Sequence, residues 1–363
     1  MMLETDIANA FQLGGRIRDI RPYGQGLIND TFVVTIETGH RAILQRINRH
    51  AFPHPEHIME NLRTLVNHIR RRQSNGKAAT RELSLPEIFT SHSGKDFVVD
   101  SEGGFWRALG FIENTRALET ITNTTQAEEV GFALGRFHAL IHDLDPARLH
   151  ETLPGFHDAP NYLARFTQAS AGKTPNNPEL RHCFSFFDAR RDLVQVLAAA
   201  KREGKFVIRP IHGDTKLDNF LFDVRSNRAV SLIDLDTVQP GLIHFDIGDC
   251  LRSCANPAGE SPKDITSVRF DLDICRAILK RYLAETKNFL TENDYHYLYD
   301  AIHLIPFELG LRFLTDYLEG NHYFKTDWPG QNLHRAMVQV RLTASIEEFE
   351  SEIKTLIAGF VAA

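Results

Sequence analysis

Residues 212–219 read His-Gly-Asp-Thr-Lys-Leu-Asp-Asn, and further on Asp234 closes the apolar run Ser231-Leu232-Ile233. Phosphoryl transfer from a nucleotide has three requirements: a carboxylate to orient or deprotonate the attacking hydroxyl, oxygen ligands to hold a divalent metal against the phosphates, and a cation to offset charge on the moving group. Asp214, Lys216 and Asn219, spaced D-x-K-x-x-N, offer one of each type, and Asp234 stands where a short strand would deliver a second metal ligand. A polar turn rich in Asp and Asn is the competing reading. It accounts for the loop alone, not for the joint presence of His-Gly-Asp, the Asn five residues on, and Ile-Asp-Leu-Asp at a fitting distance.

Such a loop needs a scaffold, and the chain changes period along its length. Thr31–Gly39 and Arg41–Asn48 read as two strands around a Thr-Gly-His turn, and the stretch 17–30 as a strand running into a glycine-containing loop. Ile58, Leu62, Leu65, Val66 and Ile69 recur at helical spacing within 55–73. Short strands with Ser-Gly and Gly-Gly turns follow up to residue 113. Beyond about residue 125 helices dominate: 126–145, 190–204 ending at Gly204, 265–285, 292–320 and 334–361. A β-rich region over 1–113 and a mainly helical region over 114–363, with the junction near Phe111-Ile112-Glu113-Asn114, is the expected layout.

The His-Gly-Asp-x-x-x-x-Asn loop followed by Ile-Asp resembles the protein-kinase-like phosphotransferases, in particular the aminoglycoside phosphotransferase and sugar/choline kinase superfamily. The resemblance implies an α+β, bilobal protein-kinase-like fold, with a small β-rich N-lobe and a large helical C-lobe. It implies ATP and Mg2+ as cofactors, Asp214 as catalytic base, Asn219 as a magnesium ligand, Asp234 as the principal one, and Lys216 beside the γ-phosphate. His212 would pack beneath the loop and fix its shape. Asp246 and Asp249, near the start of a predicted helix, are read as structural: a helix cap and an acid bonding the catalytic-loop backbone. Asp236 is either an acid supporting Asp234 or a substrate contact.

Gly24 and Gly26, between two predicted strands, would let backbone N–H groups approach phosphate oxygens; a plain hairpin turn is the alternative. Asn29 is placed toward the acceptor. The next strand lacks the lysine with which kinase-like enzymes hold the α- and β-phosphates: Gln45 or Arg46 stands there, and the usual ion pair with a helix glutamate, here Glu60, is not expected. The backbone of Phe111, Ile112 and Glu113 would read adenine.

More narrowly, the words around HGDTKLDN, SLIDLDTVQPGLIHFDIGD and GLRFLTDYLEGNHYF are similar to the N-acetylhexosamine 1-kinases, over about residues 16–345 and including a glutamine for the strand lysine. The acceptor would then be an amino sugar, held by Arg312, Asp316 and Tyr317, with Asn321, Tyr323 and Trp328 suited to the same task. The competing reading of Arg312 and Asp316, four apart, is a surface ion pair. Another small-molecule kinase of the superfamily, acting on a different sugar, choline, homoserine or an aminoglycoside, and a nucleotide-binding pseudokinase are the other readings.

Bulk properties narrow the remainder. A formal net charge of −6 gives no basic footprint for nucleic acid or an anionic membrane. Four cysteines without paired spacing are expected as reduced core thiols, not a zinc site. No secretory signal and no apolar run of membrane-spanning length is seen, so a cytoplasmic protein acting on a small molecule is expected.

Overall fold

Apolar and β-branched residues in Asp30–Ile36 and Arg41–Ile47 form a tight antiparallel pair, turned at Gly39 with φ +89°. They are the middle of the N-terminal sheet in the computed structural model, which describes residues 2–24, 28–75, 81–175 and 177–361. The first half comprises α1 (Met2–Asn9), β1 (Ile17–Pro22), β2 (Asp30–Ile36), β3 (Arg41–Ile47), α2 (Pro55–Asn75), β4 (Ile88–Phe89), β5 (Val98–Val99), β6 (Phe105–Gly110), β7 (Thr115–Arg116) and α3 (Thr124–Ile141). The sheet runs β1-β2-β3-β6-β4, with β5 also on β6. On one face Ile7, Ala8 and Phe11 pack over Val34, Ala42, Leu44 and Trp106. The other face looks toward the rest of the molecule. Because strand side chains alternate, Thr31, Gln45 and Arg107 form one row across β2, β3 and β6 on that inner face.

Next come α4 (Ala159–Ser170), α5 (Pro178–Asp188), α6 (Gln195–Arg202), β8 (Arg209–Ile211), β9 (Phe220–Asp223), β10 (Ala229–Leu232), β11 (Gln239–Gly241), α7 (Ile243–Cys254), α8 (Leu272–Thr286), α9 (Glu292–His296), α10 (Leu298–Glu319), α11 (Gln331–Glu348) and α12 (Glu350–Val361). The main core joins the buried face of α2 (Ile58, Leu62, Leu65, Val66, Ile69) to α3, α7 and α8. Close approach of α3 and α8 depends on Gly131, where a Cβ would lie 2.3 Å from the Ile278 carbonyl oxygen. A second core gathers α4, α5, α10 and α11 around Phe187, Phe307 and Leu311.

This mixed architecture, a β-sheet region followed by a helical one, is the expected fold class. Several boundaries differ from the periodicity. The helix read from Ile265 begins only at Leu272, because Asp271 caps it through the N–H groups of Asp273 and Ile274. The single last helix is two, broken at Phe349. Helices α1, α4 and α5 were not anticipated; Asp158 and Asn177 cap the latter two, each followed closely by proline. β6 ends at Gly110, and the chain next pairs at Thr115 with Asp223 of β9. We propose the lobe boundary, at 113–114, between these two pairings. All four cysteines are free, buried thiols. Among the described residues no helix is long and apolar enough to cross a membrane.

Candidate active site

Two short ladders bring the chemistry together. β8 pairs with β11 and β9 with β10, so the loop leaving β8 and the residues leaving β10 emerge side by side. Cross-links lock them: the Ile233 N–H donates to the Asn219 carbonyl (2.9 Å) and the Thr237 hydroxyl to the His212 carbonyl (2.7 Å). His212, fully buried, bonds the Ile233 carbonyl through Nε2 (3.0 Å) and receives the Asp214 N–H at Nδ1 (3.3 Å). Burial pushes its pKa down, as suits an imidazole holding a loop in shape. Gly213 turns at φ +86°, where a Cβ would come within 2.7 Å of the Thr237 carbonyl oxygen. No other residue type fits that turn without displacing the backbone.

Asp246, at the start of α7, anchors the loop from below. Its Oδ2 receives the N–H of His212 (2.7 Å) and the ring of His138 (2.8 Å), and its Oδ1 the N–H of Gly213 (2.7 Å). Burial alone would raise its carboxyl, but these donors hold it below the ordinary range. Asp249 sits differently. Its Oδ1 takes Arg252 Nε (2.8 Å), its Oδ2 has no partner, and it lines the cleft without bonding the loop backbone.

Asp214 receives Lys216 Nζ (2.7 Å) and Asn219 Nδ2 (3.1 Å) on Oδ2. The surrounding protein works to raise its pKa, and Lys216 outweighs this and holds the carboxyl low; Lys216 is raised in turn, chiefly by Asp214 and then Asp234. At neutral pH this is a carboxylate beside an ammonium. Both hydrogens of the Asn219 amide go to Asp214, the second to its carbonyl oxygen at 2.7 Å, so the amide oxygen is the free end.

Asp234 sits in the left-handed region at φ 62°. Its surface is open to the cleft, while protein crowds it on the other sides. That crowding, then the neighbouring charge of Asp236, pushes its carboxyl up to about 7. A carboxylate under such strain favours a bound cation. The Asp234 carboxylate and the free oxygen of Asn219 are hard-oxygen groups of the kind a divalent cation such as Mg2+ takes.

Among residues given nucleotide roles, Gln45 lines the cleft, but its amide is engaged. Its Oε1 receives Nε and Nη2 of Arg107 (3.0 and 2.7 Å), and its Nε2 donates to Thr31 Oγ1 (3.1 Å). Arg107 then pairs with Asp236, which also receives Asn29 Nδ2 at 2.9 Å. Arg46 points to the opposite face, over the Trp106 ring at 5.9 Å, and Glu60 bonds His150 (2.7 Å), so the strand-to-helix ion pair of the kinase pattern is absent among the described residues. Gly24 has φ +74°; Gly26 lies outside the described residues. Phe111 lies under the Arg41 guanidinium (3.8 Å), Arg41 pairs with Glu113, and the Ile112 carbonyl receives the Thr115 hydroxyl (2.6 Å). All three hinge residues lie outside the lining of the cleft.

The acceptor-side assignments separate. Arg312 lines the cleft within 5.3–5.8 Å of the Phe156, Tyr162, Tyr323 and Phe324 rings. It makes no ion pair with Asp316. The Asp316 carboxylate is buried and saturated by the N–H groups of His322 (2.9 Å), Tyr323 (2.8 Å) and Phe324 (3.0 Å) and by Asn332 Nδ2 (2.9 Å). Asp316 therefore shapes the loop that carries Tyr323 and does not point a free carboxylate at a substrate. Tyr317 faces away, because five residues on a helix turn about 140° from Arg312; it packs on the second core. Trp328 packs against His334 and lies outside the cleft lining.

The sequence reading missed Arg107, His157 and Glu308. Glu308 lies among Leu304, Ile305, Phe307 and Leu311 on α10, and a buried acid within an apolar run was a usable signal. For His157, whose φ of 60° sets it in the cleft wall, nothing in the sequence stood out.

A carboxylate–lysine pair on a rigid loop, with Asp234 in the same cleft and a β-sheet region ahead of a helical one, is the arrangement of a protein-kinase-like phosphotransferase. The chain belongs to the phosphotransferase enzyme family, whose model matches residues 19–277. Solved structures agree on the fold. A microcompartment-associated aminopropanol kinase aligns over 97% of this chain and 98% of its own, with TM-score 0.63 and 15% identity. An aminoglycoside phosphotransferase from Alicyclobacillus acidocaldarius aligns over 98% and 96%, with TM-score 0.60 and 14% identity. The amicoumacin kinase hAmiN, in complex with AMP-PNP, Ca2+ and Ami, aligns over 98% of this chain and 92% of its own, with TM-score 0.59 and 14% identity.

Proposed function

We propose that the protein is an ATP- and Mg2+-dependent kinase that phosphorylates the anomeric hydroxyl of an N-acetylhexosamine, such as N-acetylglucosamine or N-acetylgalactosamine. The observation that carries the phosphotransfer reading is the Lys216–Asp214 pair, at 2.7 Å, in the same cleft as Asp234. Asp214, kept ionised, would receive the hydrogen of the sugar hydroxyl and direct its oxygen at the γ-phosphorus. Asn219 and Asp234 would hold the metal, which when bound neutralises phosphate charge and draws the oxygens into line. Lys216 would stay at the developing negative charge on the transferred group.

The sugar assignment rests on the resemblance of the words around Asp214, Asp234 and Arg312, and on the aromatic wall of the cleft. Glu308 and Arg312, one turn apart on α10, oppose each other there, and flat rings surround the guanidinium. The similarity to an aminopropanol kinase and the acid Glu308 keep an amino-alcohol acceptor as the second reading. ADP release measured with MgATP over hexosamines, choline, ethanolamine, homoserine and an aminoglycoside separates the two. No turnover on any acceptor, with ATP still bound, would point to a pseudokinase.

A further inference from the structure

Glu308, on α10, and His157, in the loop before α4, form a pair that the phosphoryl-transfer loop does not use. Glu308 Oε1 and His157 Nδ1 are 3.0 Å apart, and both side chains are at least 95% out of solvent. Their other polar atoms, Glu308 Oε2 and His157 Nε2, are buried with no partner. Both residues line the 220 Å³ cleft that also holds Asp214, Lys216 and Arg312. The His157 ring is fixed between Phe156 (4.0 Å) and Phe245 (4.5 Å), so it cannot swing away to find water. Buried polar atoms in folded proteins are almost always bonded. Two orphans on one cavity wall, beside a base poised for a hydroxyl, mark places that a ligand fills.

We infer that Glu308 and His157 read two hydroxyl groups of the acceptor other than the one phosphorylated, and so select a polyhydroxylated ring over a short amino alcohol. The inference rests on the phosphotransfer reading above. A carboxylate oxygen only accepts. The bond between the two residues occupies His157 Nδ1 and leaves Nε2 for a further polar partner. The wall therefore asks for a donor at Glu308 Oε2 and a second polar group at His157 Nε2, and a hydroxyl serves at either place. Arg312, which only donates, lies one turn along α10 and asks for an oxygen acceptor such as an acetamido carbonyl or a ring hydroxyl. A hexosamine carries both kinds of group. A two- or three-carbon amino alcohol has one donor group beyond its reacting hydroxyl, and its ammonium would face the Arg312 charge.

The test uses the full chain with MgATP and N-acetylglucosamine, together with its 3-, 4- and 6-deoxy analogues, on wild type, Glu308→Gln and His157→Gln. Wild type should lose about 100-fold in kcat/KM when one particular hydroxyl is removed, because its acceptor is left unpaired. In the matching variant, removal of that same hydroxyl should cost less than about threefold, while the KM for ATP is unchanged. If Glu308→Gln fails to fold, His157→Gln carries the same comparison. Equal deoxy losses in variants and wild type at every position would overturn the inference and leave the kinase reading standing. Turnover of an amino alcohol with none of any hexosamine would overturn the inference and the sugar assignment together, and leave phosphotransfer standing.

Discussion

Arg107 of the N-terminal sheet and Asp236, two residues past Asp234, form an ion pair at 2.5 Å, with side chains 2% and 3% exposed. This pair ties the sheet to the loop that carries the candidate metal ligand. It also bears on the missing strand lysine. The buried cation in that cross-strand row is Arg107, and Gln45 holds it against Asp236.

Removing one partner of a buried pair leaves the other charge uncompensated, at a cost of about 3–5 kcal/mol. Arg107→Met should therefore lower the melting temperature by roughly 5–10 °C and raise the KM for MgATP. Adding Asp236→Asn should recover most of the stability and little of the activity. Thermal unfolding and steady-state kinetics on the two variants check this; a single variant as stable as wild type would contradict it.

Asp214→Asn should leave nucleotide binding within about threefold while lowering kcat at least ~1000-fold, since it removes the proton acceptor but keeps the side-chain shape. Asp234→Ala should weaken MgATP binding as well, and metal-free ATP binding much less. Calorimetric titrations with and without Mg2+, alongside kcat, distinguish the two roles. Equal, small effects would undercut both.

Gly213 and Gly172 both have positive φ, but only Gly213 is crowded by a neighbour. Gly172→Ala should cost about 1 kcal/mol and leave turnover unchanged. Gly213→Ala adds a contact with the Thr237 carbonyl and should move Asp214, with a fall in kcat of about 100-fold or more. Parallel denaturation and kinetics read the contrast.

Glu347 joins α11 to Arg190 (2.6 and 2.7 Å) and to His303 (2.9 Å). Partial burial works to raise its pKa, and these two donors overcome it, lowering the carboxyl from 4.5 to about 2. A depressed folded pKa contributes stability that is present above pH 4.5 and lost as pH falls toward 2. Glu347→Gln should therefore cost about 1 kcal/mol at pH 7, discounted for its partial exposure, and the gap to wild type should narrow below pH 4.5. A gap independent of pH would contradict this.

The β-then-helical layout was legible because it depends on local period: the α2 stripe and the β2–β3 pair declare themselves residue by residue, whereas α1, α4 and α5 did not. That Asp214, Lys216 and Asp234 would meet in one cleft, with Asn219 beside Asp214, was legible because the motif fixes residue type and spacing together. What escaped depends on cross-strand register and distant packing. Arg107 matters only because β6 lies beside β3, and His157 only because α10 brings Glu308 to it. Asp316 and Tyr317 were misjudged for a similar reason. A composition suited to sugars says nothing about which side of a helix faces the cleft, or which carboxylate a neighbouring loop has already claimed.

The central claim is phosphorylation at the anomeric position, and the product tests it directly. Incubation with MgATP and N-acetylglucosamine or N-acetylgalactosamine, followed by phosphorus NMR, should show phosphate coupled to the anomeric proton. The product should be acid-labile and no longer a reducing sugar. A stable phosphate on a still-reducing sugar, or phosphorylation of an amino alcohol with no hexosamine turned over, would contradict the account.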